Sequence, residues 1–351
     1  MSTRRRFIQA PVYQADCQMI GLVTSRVSGI LLSRDAYLDV LREIMTVDSV
    51  SIEEARQREC KINLFAGAMS LKTLDQMGPR PGKNIWCLVL ESTHLPLRAK
   101  ETAAKIDQVW VPTQFCLDVC LKAGLSADKV KLVPYYMRSP KRPRIPPASD
   151  APFTFLTSWD GKSSMNRKFI LGAIEAFKKA FPRAKSVCLK LKTRELSEEN
   201  TELVRLAIGN DERIVFEDRF TESPDDLYDH VHAIFHPHRA EGYGRHMIEA
   251  QMRRLPVICT GYRGNMDWMH SGKNALLISY LMVETAQKEF QYPQGGFWAL
   301  PNIDHAAQQL RYCRDHYDTL GPMLDAAEID SRAISSLERS KQAMIKALAS
   351  L

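Results

Sequence analysis

Short apolar runs alternate along the chain with segments that carry helical spacing. Nearly continuous apolar runs are typical of parallel strands that are buried on both faces of a sheet. In the first half the runs lie at residues 19–23, 62–65, 85–90, 109–111 and 130–133. In the second half they lie at residues 153–156, 187–191, 214–216, 233–235, 256–258 and 275–278. Because helices between parallel strands cover both faces of a sheet, this pattern predicts two doubly wound α/β domains that face a central cleft.

The helical segments fill the gaps between these runs. The clearest of them lie at residues 33–45, 114–123, 167–180 and 244–253. Residues 331–351 have the spacing of one further helix, which we expect to pack back on the first domain.

A proline-rich basic stretch separates the two halves. Residues 138–147, "RSPKRPRIPP", mix four basic residues with four prolines. Proline disfavours both helix and sheet, so we interpret the stretch as a stiff connector, with contact to phosphate or a membrane as the alternative. The predicted domains are therefore residues 1–145 and 146–330, followed by the C-terminal helix at 331–351.

Composition narrows the class of protein. A hydrophobic content of 45% with 25% charged residues is that of a globular protein, and no apolar run approaches the ~18 residues of a membrane span. Eight cysteines without a C-x-x-C pair are typical of buried thiols in a reducing compartment, so we expect a cytoplasmic protein. The net charge of +7 favours an acidic ligand or membrane surface. Its basic residues are not grouped with aromatics, which disfavours nucleic acid as a partner.

One segment combines glycines and carboxylates at the end of a predicted strand. Residues 241–244 read Glu-Gly-Tyr-Gly, and Glu249 follows within the next predicted helix. Glycine lets a ligand approach the backbone, and the free N–H groups of a helix start favour a phosphate. A carboxylate such as Glu249 can accept hydrogen bonds from a ribose diol. The segment therefore predicts a site for a nucleotide, with Glu241 facing whatever is attached to the far phosphate.

This segment resembles a family signature. Glu241, Gly242, Tyr243 and Gly244, followed by Glu249, match the E-G-[FY]-G…E pattern of retaining GT-B glycosyltransferases of the family 4 type, the glycosyl transferases group 1. The resemblance implies a GT-B fold, in which the second domain holds a nucleotide-sugar donor and the first holds the acceptor. It also implies that Glu249 binds the ribose and that Glu241 lies beside the donor sugar.

Other stretches extend the resemblance to about residues 84–315. Residues 153–181 are similar to the family's strand, basic loop and helix, with Arg167 and Lys168 where the family has a diphosphate-binding lysine. A cation at a helix start is unfavourable for the helix dipole, so an anionic ligand explains Lys168 better than a solvated surface charge does. Arg245, at the start of the next predicted helix, joins the predicted donor-binding residues.

The basic loop departs from the family in one respect. Many members have a second basic residue just before the Asp of this loop, where this chain has Ser158 and Trp159. Either Lys162 substitutes for it, or Lys168 and the backbone hold the diphosphate alone. Asp160 either orients Lys168 or caps a turn.

The acceptor side carries fewer signals. Glu91 and His94 follow a buried strand and should face the cleft, where either is expected to contact the donor sugar; a structural role is the alternative for His94. Gly29 is the only candidate for the glycine loop that approaches the donor in the family. His236 and His238 have no third ligand at recognisable spacing, so we interpret them as residues that line the site rather than bind metal.

The resemblance thus implies a hexosyl-type glycosyltransferase of polysaccharide biosynthesis. It would take a UDP- or GDP-linked sugar as donor and a saccharide or lipid-linked acceptor, without a cofactor. No D-x-D triplet occurs in the chain, which favours a metal-independent reaction; retention is implied by the resemblance alone. The alternatives are a GT-B-like nucleotide-sugar-binding scaffold without turnover and a GT-B epimerase. The expected location is the cytoplasm, with peripheral contact at the inner membrane face as a further expectation.

Overall fold

The computed structural model of the chain describes residues 17–20, 28–66, 78–95, 97–285 and 296–351, and of residues 28–33 and 98 the backbone alone. Two six-stranded sheets, parallel throughout, form its centre. Helices separate most successive strands. This confirms the prediction of two doubly wound α/β units.

The first unit holds the first sheet. Its strands are β1 Cys17–Ile20, β2 Val47–Val50, β3 Ile62–Phe65, β4 Lys83–Cys87, β5 Gln108–Val111 and β6 Val130–Leu132. They lie side by side in the order β2-β1-β3-β4-β5-β6. Its helices are α1 Ser28–Leu41, α2 Ile52–Arg56, α3 Leu97–Ala104 and α4 Gln114–Lys122. Gly124 follows α4 in a left-handed conformation at φ +88°, as expected of a helix C-cap.

The second unit holds the second sheet and an antiparallel β-ribbon. Its strands are β7 Phe153–Ser158, β8 Val187–Thr193, β9 Ile214–Asp218, β10 Ala233–His236, β11 Val257–Thr260 and β12 Leu276–Ile278, with β13 Tyr280–Glu284 and β14 Phe297–Pro301 as the ribbon. The strands of the sheet lie side by side in the order β12-β11-β10-β7-β8-β9. Its helices are α5 Met165–Lys168, α6 Ile170–Ala180, α7 Glu198–Ile208, α8 Arg245–Gln251, α9 Ile303–Asp315, α10 Gly321–Ile334 and α11 Leu337–Leu348. Short 3-10 helices lie at Pro224–Tyr228, Gly264–Asp267 and Tyr317–Thr319.

Strand order in the second sheet fixes where a ligand can bind. The chain builds the sheet outward from β7 through β8 to β9, then returns to the other side of β7 with β10. In open α/β sheets ligands bind outside the carboxyl ends of the strands at such a reversal. The loops that follow Ser158 and His236 therefore meet at the predicted crevice.

Two predicted helices are broken in the structure. The segment at 167–180 is interrupted by Phe169, whose φ of 55° is left-handed, so that α5 ends and α6 begins there. The segment at 331–351 is interrupted at Ser335, whose hydroxyl donates to the Ser331 carbonyl at 2.6 Å, and Ser336 caps α11. Helical spacing alone missed both breaks because serine and phenylalanine are common inside helices.

The C-terminal helix α11 contacts the first unit. Ser340 Oγ donates to the Pro134 carbonyl at 2.8 Å, and Gln108 Nε2 donates to the Ala347 carbonyl at 2.8 Å. One apolar cluster runs through both units, from Tyr37 in α1 to Met344 in α11. Within the described residues, no helix has the length and apolar character needed to cross a membrane.

We expect Gln108→Ala to destabilise the protein by about 2 kcal/mol, because the buried Trp110 indole N–H and the Ala347 carbonyl would both lose a partner. Urea unfolding measures the change. Gln114→Ala is the control, since Gln114 is exposed and its side-chain amide donates to the nearby Asp118, and it should change stability by less than about 0.5 kcal/mol. Equal effects of the two substitutions would contradict a stabilising role for this contact.

Candidate active site

The loops after β7 and β10 bring a basic pair against a carboxylate. Lys168 Nζ lies 2.6 Å from Glu241 Oε2, and Arg167 Nη1 lies 3.7 Å from the same oxygen. His236 Nε2 is 3.6 Å from it. Arg167 and Lys168 are only 5% and 8% exposed, so this is a buried charged cluster and not a solvated surface pair.

The break at Phe169 holds the basic pair in place. Ser164 caps the single turn of α5 by accepting from the Arg167 N–H at 3.0 Å, and Phe169 then turns the chain into α6. The Phe169 ring lies where a side chain on Gly172 would be: a Cβ there would come within 2.0 Å of it. The local sequence therefore ends α5 directly after Lys168.

Glu91 joins the cluster from the first unit. Its Oε1 lies 2.9 Å from Arg167 Nη1, and the same guanidinium donates to the Ala240 carbonyl at 3.0 Å and to Ser163 Oγ at 2.7 Å. Arg167 thus joins the two halves of the molecule across the cleft.

The β-ribbon secures the loop that carries Glu91. Trp298 Nε1 donates to the Glu91 carbonyl at 3.1 Å, and the Phe297 N–H donates to Thr93 Oγ1 at 3.0 Å. His94 is exposed and its Nδ1 lies 2.8 Å from Thr93 Oγ1. Of the two residues predicted on this loop, Glu91 is the one that contacts the charged cluster.

Burial and charge give the two carboxylates opposite pKa shifts. Burial raises the pKa of Glu241, but Lys168, His236 and Arg167 together outweigh it, so the pKa lies well below its usual value. For Glu91, burial and the Glu241 charge outweigh Arg167 and raise the pKa. Burial lowers the pKa of His236 to about 3, so its ring is neutral at neutral pH.

Glu249, in α8, forms a second part of the site. Its Oε2 accepts a hydrogen bond from Tyr228 at 2.7 Å, and its Oε1 lies 3.9 Å from Arg245 Nη2. His246 Nδ1 is 3.8 Å from Oε2, and the His246 ring lies 6.5 Å from that of His236. The two histidines therefore connect the Glu249 end of the site with the Glu241 end.

The glycines between the two glutamates have a packing role that the sequence did not reveal. A Cβ at Gly242 would lie 2.5 Å from Val89 Cγ2 and 2.6 Å from the Leu90 carbonyl oxygen, both in the first unit. The space at Gly242 is thus filled by the facing domain, where the sequence suggested room for a ligand. Gly244, at φ 92°, is the N-cap of α8, and a Cβ there would meet Met247 at 2.6 Å.

Tyr243 and two residues of the loop after β7 form hydrogen bonds and ion pairs outside the charged cluster. Tyr243 is buried and its hydroxyl donates to the Tyr135 carbonyl at 3.0 Å. Asp160 pairs with Arg194 at 3.0 Å and accepts from the Lys162 N–H at 3.0 Å, which is the turn-capping role left open above. The Lys162 ammonium pairs with Glu195 at 2.9 Å.

The structure places Gly29 in a helix and His238 in the protein interior. Gly29 lies in the first turn of α1, and the loop before it, residues 21–27, is outside the described residues. His238 is fully buried, with its ring nitrogens 3.1 Å and 3.2 Å from the carbonyls of His236 and Tyr262. Tyr228 was not predicted, since its partner Glu249 lies 21 residues away in sequence and no local pattern links them.

The sequence match to known families falls on this half of the chain. Residues 162–288 match the family model described as glycosyl transferases group 1. The match includes Lys168, Glu241 and Glu249. Curated protein sequences show no match to this chain.

Solved structures resemble the whole architecture. HepE from Anabaena in complex with UDP and glucose has a TM-score of 0.70 at 12% identity, covering 96% of this chain and 100% of HepE. A glycosyltransferase from Rickettsia africae has a TM-score of 0.66 at 14% identity, with 95% and 97% covered. A TarM variant from S. aureus, in complex with fondaparinux, alpha-GlcNAc-glycerol and UDP, has a TM-score of 0.62 at 14% identity, with 82% and 55% covered. The chain thus spans about half the length of TarM. These likenesses confirm the predicted GT-B fold of two Rossmann-like domains.

We expect Glu241→Gln to destabilise the protein at pH 7 by about 3 kcal/mol, because it removes the anion that the buried Lys168 and Arg167 share. A folded-state pKa below the ordinary 4.5 stabilises the protein above that pH, and the contribution is lost as pH falls through the folded pKa. The difference between parent and variant should therefore shrink below pH 4.5. Urea unfolding from pH 3 to 8 measures it, with the exposed Glu43→Gln as control. A pH-independent difference would contradict the pKa assignment.

Proposed function

We propose that this protein is a glycosyltransferase. It would move a hexosyl group from a nucleoside-diphosphate sugar to a hydroxyl of a saccharide or glycolipid, with retention and without a metal. The observation that carries the proposal is the buried pair Arg167 and Lys168, held against Glu241 and Glu91 at the strand-order reversal. The group 1 family match and the UDP complexes of HepE and TarM support it.

In this proposal the basic pair binds the diphosphate. Arg167 and Lys168 carry two positive charges that Glu241 and Glu91 balance without a ligand. An incoming diphosphate competes with these carboxylates for the same N–H donors, and charge-assisted bonds to phosphate are among the strongest available. Ser158 and Trp159, which replace the family's second basic residue, leave Arg167 to supply the second cation.

The nucleoside would extend from the diphosphate towards Glu249 and β9. Glu249 accepts the ribose hydroxyls, with Arg245 beside it. A cleft at the carboxyl ends of β8 and β9 would receive the base; Lys192, Arg219, Phe220 and Leu227 are among the residues that line it. Leu227 directly precedes Tyr228, the partner of Glu249, which supports placing the base next to the ribose. UDP and GDP are the proposed leaving groups.

Catalysis would depend on charge that is already in place. As the diphosphate leaves, negative charge grows on its oxygens, and the fixed Lys168 ammonium stabilises it without reorganisation. Positive character at the anomeric carbon is stabilised by Glu241, which its low pKa keeps ionised. The acceptor hydroxyl attacks from the face that the diphosphate leaves, and a phosphate oxygen takes its proton. Glu91, which pairs with Arg167 across the cleft, can accept a hydrogen bond from a sugar hydroxyl.

The acceptor and the location follow from the same proposal. Glu91 borders the cleft on the first unit's side, on a loop that the β-ribbon contacts, and a saccharide or lipid-linked hydroxyl would enter there. We propose a role in polysaccharide biosynthesis in the cytoplasm, at the inner membrane face when the acceptor is lipid-linked. The connector arginines Arg138 and Arg142 already pair with Asp39, Asp226 and Asp229, which supports a linker role over a membrane contact.

Transfer is tested with UDP-glucose and GDP-mannose as donors, with the anomeric configuration of the product read by NMR and with EDTA present. We expect the α-linkage of the donor to be retained and the chelator to have no effect. A parent protein that binds a donor but neither transfers nor hydrolyses it would contradict the proposal and favour the scaffold alternative.

We expect Lys168→Ala to lower kcat by about 10²-fold, because the leaving diphosphate loses its fixed counter-charge. Calorimetry should also show weaker binding of UDP with the weak binding of uridine unchanged. Lys179→Ala is the control, since Lys179 lies on the surface and pairs with Asp304. Equal losses for UDP and uridine would remove the proposed phosphate contact.

A further inference from the structure

The Glu249 carboxylate accepts a hydrogen bond from a buried tyrosine. Tyr228 is 1% exposed, and its hydroxyl donates to Glu249 Oε2 at 2.7 Å. It ends the 3-10 helix Pro224–Tyr228, which Ser223 begins with a capping box and which has proline in its first turn. The short helix thus aims one phenol at one oxygen of the carboxylate.

A buried ion pair fixes the tyrosine ring. Arg253 and Asp225 form a salt bridge with side chains only 6% and 7% exposed. The Arg253 guanidinium lies over the Tyr228 ring at 4.5 Å, and its Nη1 donates to the Glu249 backbone carbonyl at 2.8 Å. The same arginine therefore holds both the tyrosine and the segment of α8 that carries the carboxylate.

The interdomain connector holds the other side of this short helix. Arg142 pairs with Asp226 at 2.8 Å and with Asp229 at 2.5 Å, and the Ile145 N–H donates to Asp229 at 2.7 Å. These acidic residues flank Tyr228 in sequence. The connector therefore holds the backbone on both sides of Tyr228, so the phenol has little freedom to leave Glu249.

We propose that Tyr228 is a positioning residue that presets the Glu249 carboxylate for the ribose hydroxyls of the donor. With Oε2 held by the phenol, the carboxylate cannot rotate freely, and Oε1 stays oriented for the ligand. Ordering a side chain before the ligand arrives lowers the entropy lost on binding. This inference rests on the proposed function, since it assigns a ribose to Glu249.

The phenol remains a donor in this arrangement. Burial, followed by the Glu249 charge, raises the pKa of Tyr228 well above its usual value, so the hydroxyl stays protonated throughout the physiological range. Because Tyr228 orients the carboxylate that would bind the ribose, we expect it to affect recognition of the ribose hydroxyls and not of the base or the phosphates. A nucleotide that lacks those hydroxyls gains nothing from Tyr228.

The test compares Tyr228→Phe with the parent by calorimetry, using UDP, GDP and their 2′,3′-dideoxy counterparts. For the ribonucleotide that the parent binds, we expect the substitution to weaken binding by about tenfold, as for loss of a hydrogen bond to a charged group. Binding of the dideoxy counterpart should change by less than about twofold. Equal weakening of both ligands would show a merely structural role, and unchanged binding of both would also overturn the inference. A parent that binds neither UDP nor GDP would contradict the proposed function itself.

Matched measurements separate positioning from folding. Phenylalanine keeps the ring beneath Arg253, so Tyr228→Phe should retain the parent's circular dichroism and unfold cooperatively. Tyr37→Phe is the control, because Tyr37 is equally buried at 1% exposed and donates to the Val133 carbonyl at 3.0 Å in the other domain. It should bind all four nucleotides as the parent does. In turnover, Tyr228→Phe should raise the donor KM about tenfold and change kcat by less than threefold; a loss confined to kcat would overturn the positioning role.

Discussion

The buried contact between Lys168 and Glu241 determines what the surrounding structure must supply. Removing charges from water costs several kcal/mol for each ion, and attraction between them offsets this only when further hydrogen bonds satisfy both partners. The Ala240 carbonyl, Ser163 and Glu91 satisfy the neighbouring Arg167, while His236 lies against the carboxylate. Because Glu91 belongs to the first unit, the charged cluster depends on how the two units approach each other.

Packing between the units meets that requirement. Gly242 allows the Leu90 carbonyl to approach the loop that carries Glu241, and Thr113 donates to the Gly242 carbonyl at 3.0 Å. Tyr135 contacts both Tyr37 and Tyr243 edge-to-face at 4.9 Å, which joins α1 to the same loop. A motif that first suggests ligand binding therefore also sets the distance between the domains. The two roles are compatible, because the glutamates face the crevice while Gly242 and Tyr243 pack against protein.

Strand alternation in the sequence predicted the architecture well. Runs buried on both faces are apolar throughout and are easy to recognise. The edge strand β2, Val47–Val50, was missed because its two central residues are polar, and the ribbon β13–β14 was missed because much of it is exposed. The break at Phe169 had no sequence signal, since its left-handed conformation depends on Gly172 leaving room for the ring. Within the site, the motif residues could be named from the sequence, and their roles stay predictions. Contacts made through the fold, such as Tyr228 with Glu249 and Glu91 with Arg167, could not be named, because their partners lie far apart in sequence.

The most direct test of a nucleotide-binding crevice is thermal unfolding with UDP, GDP, ADP, CMP and dTDP, run in parallel for the parent and Glu249→Ala. A ligand at about 100 times its Kd adds about 2.7 kcal/mol of stability, which raises Tm by a few degrees in a protein of this size. We predict that one diphosphate raises the Tm of the parent and that the shift is lost in the variant. If none of the five nucleotides raised the Tm of the parent, or if Glu249→Ala kept the full shift, the account of this crevice would be contradicted.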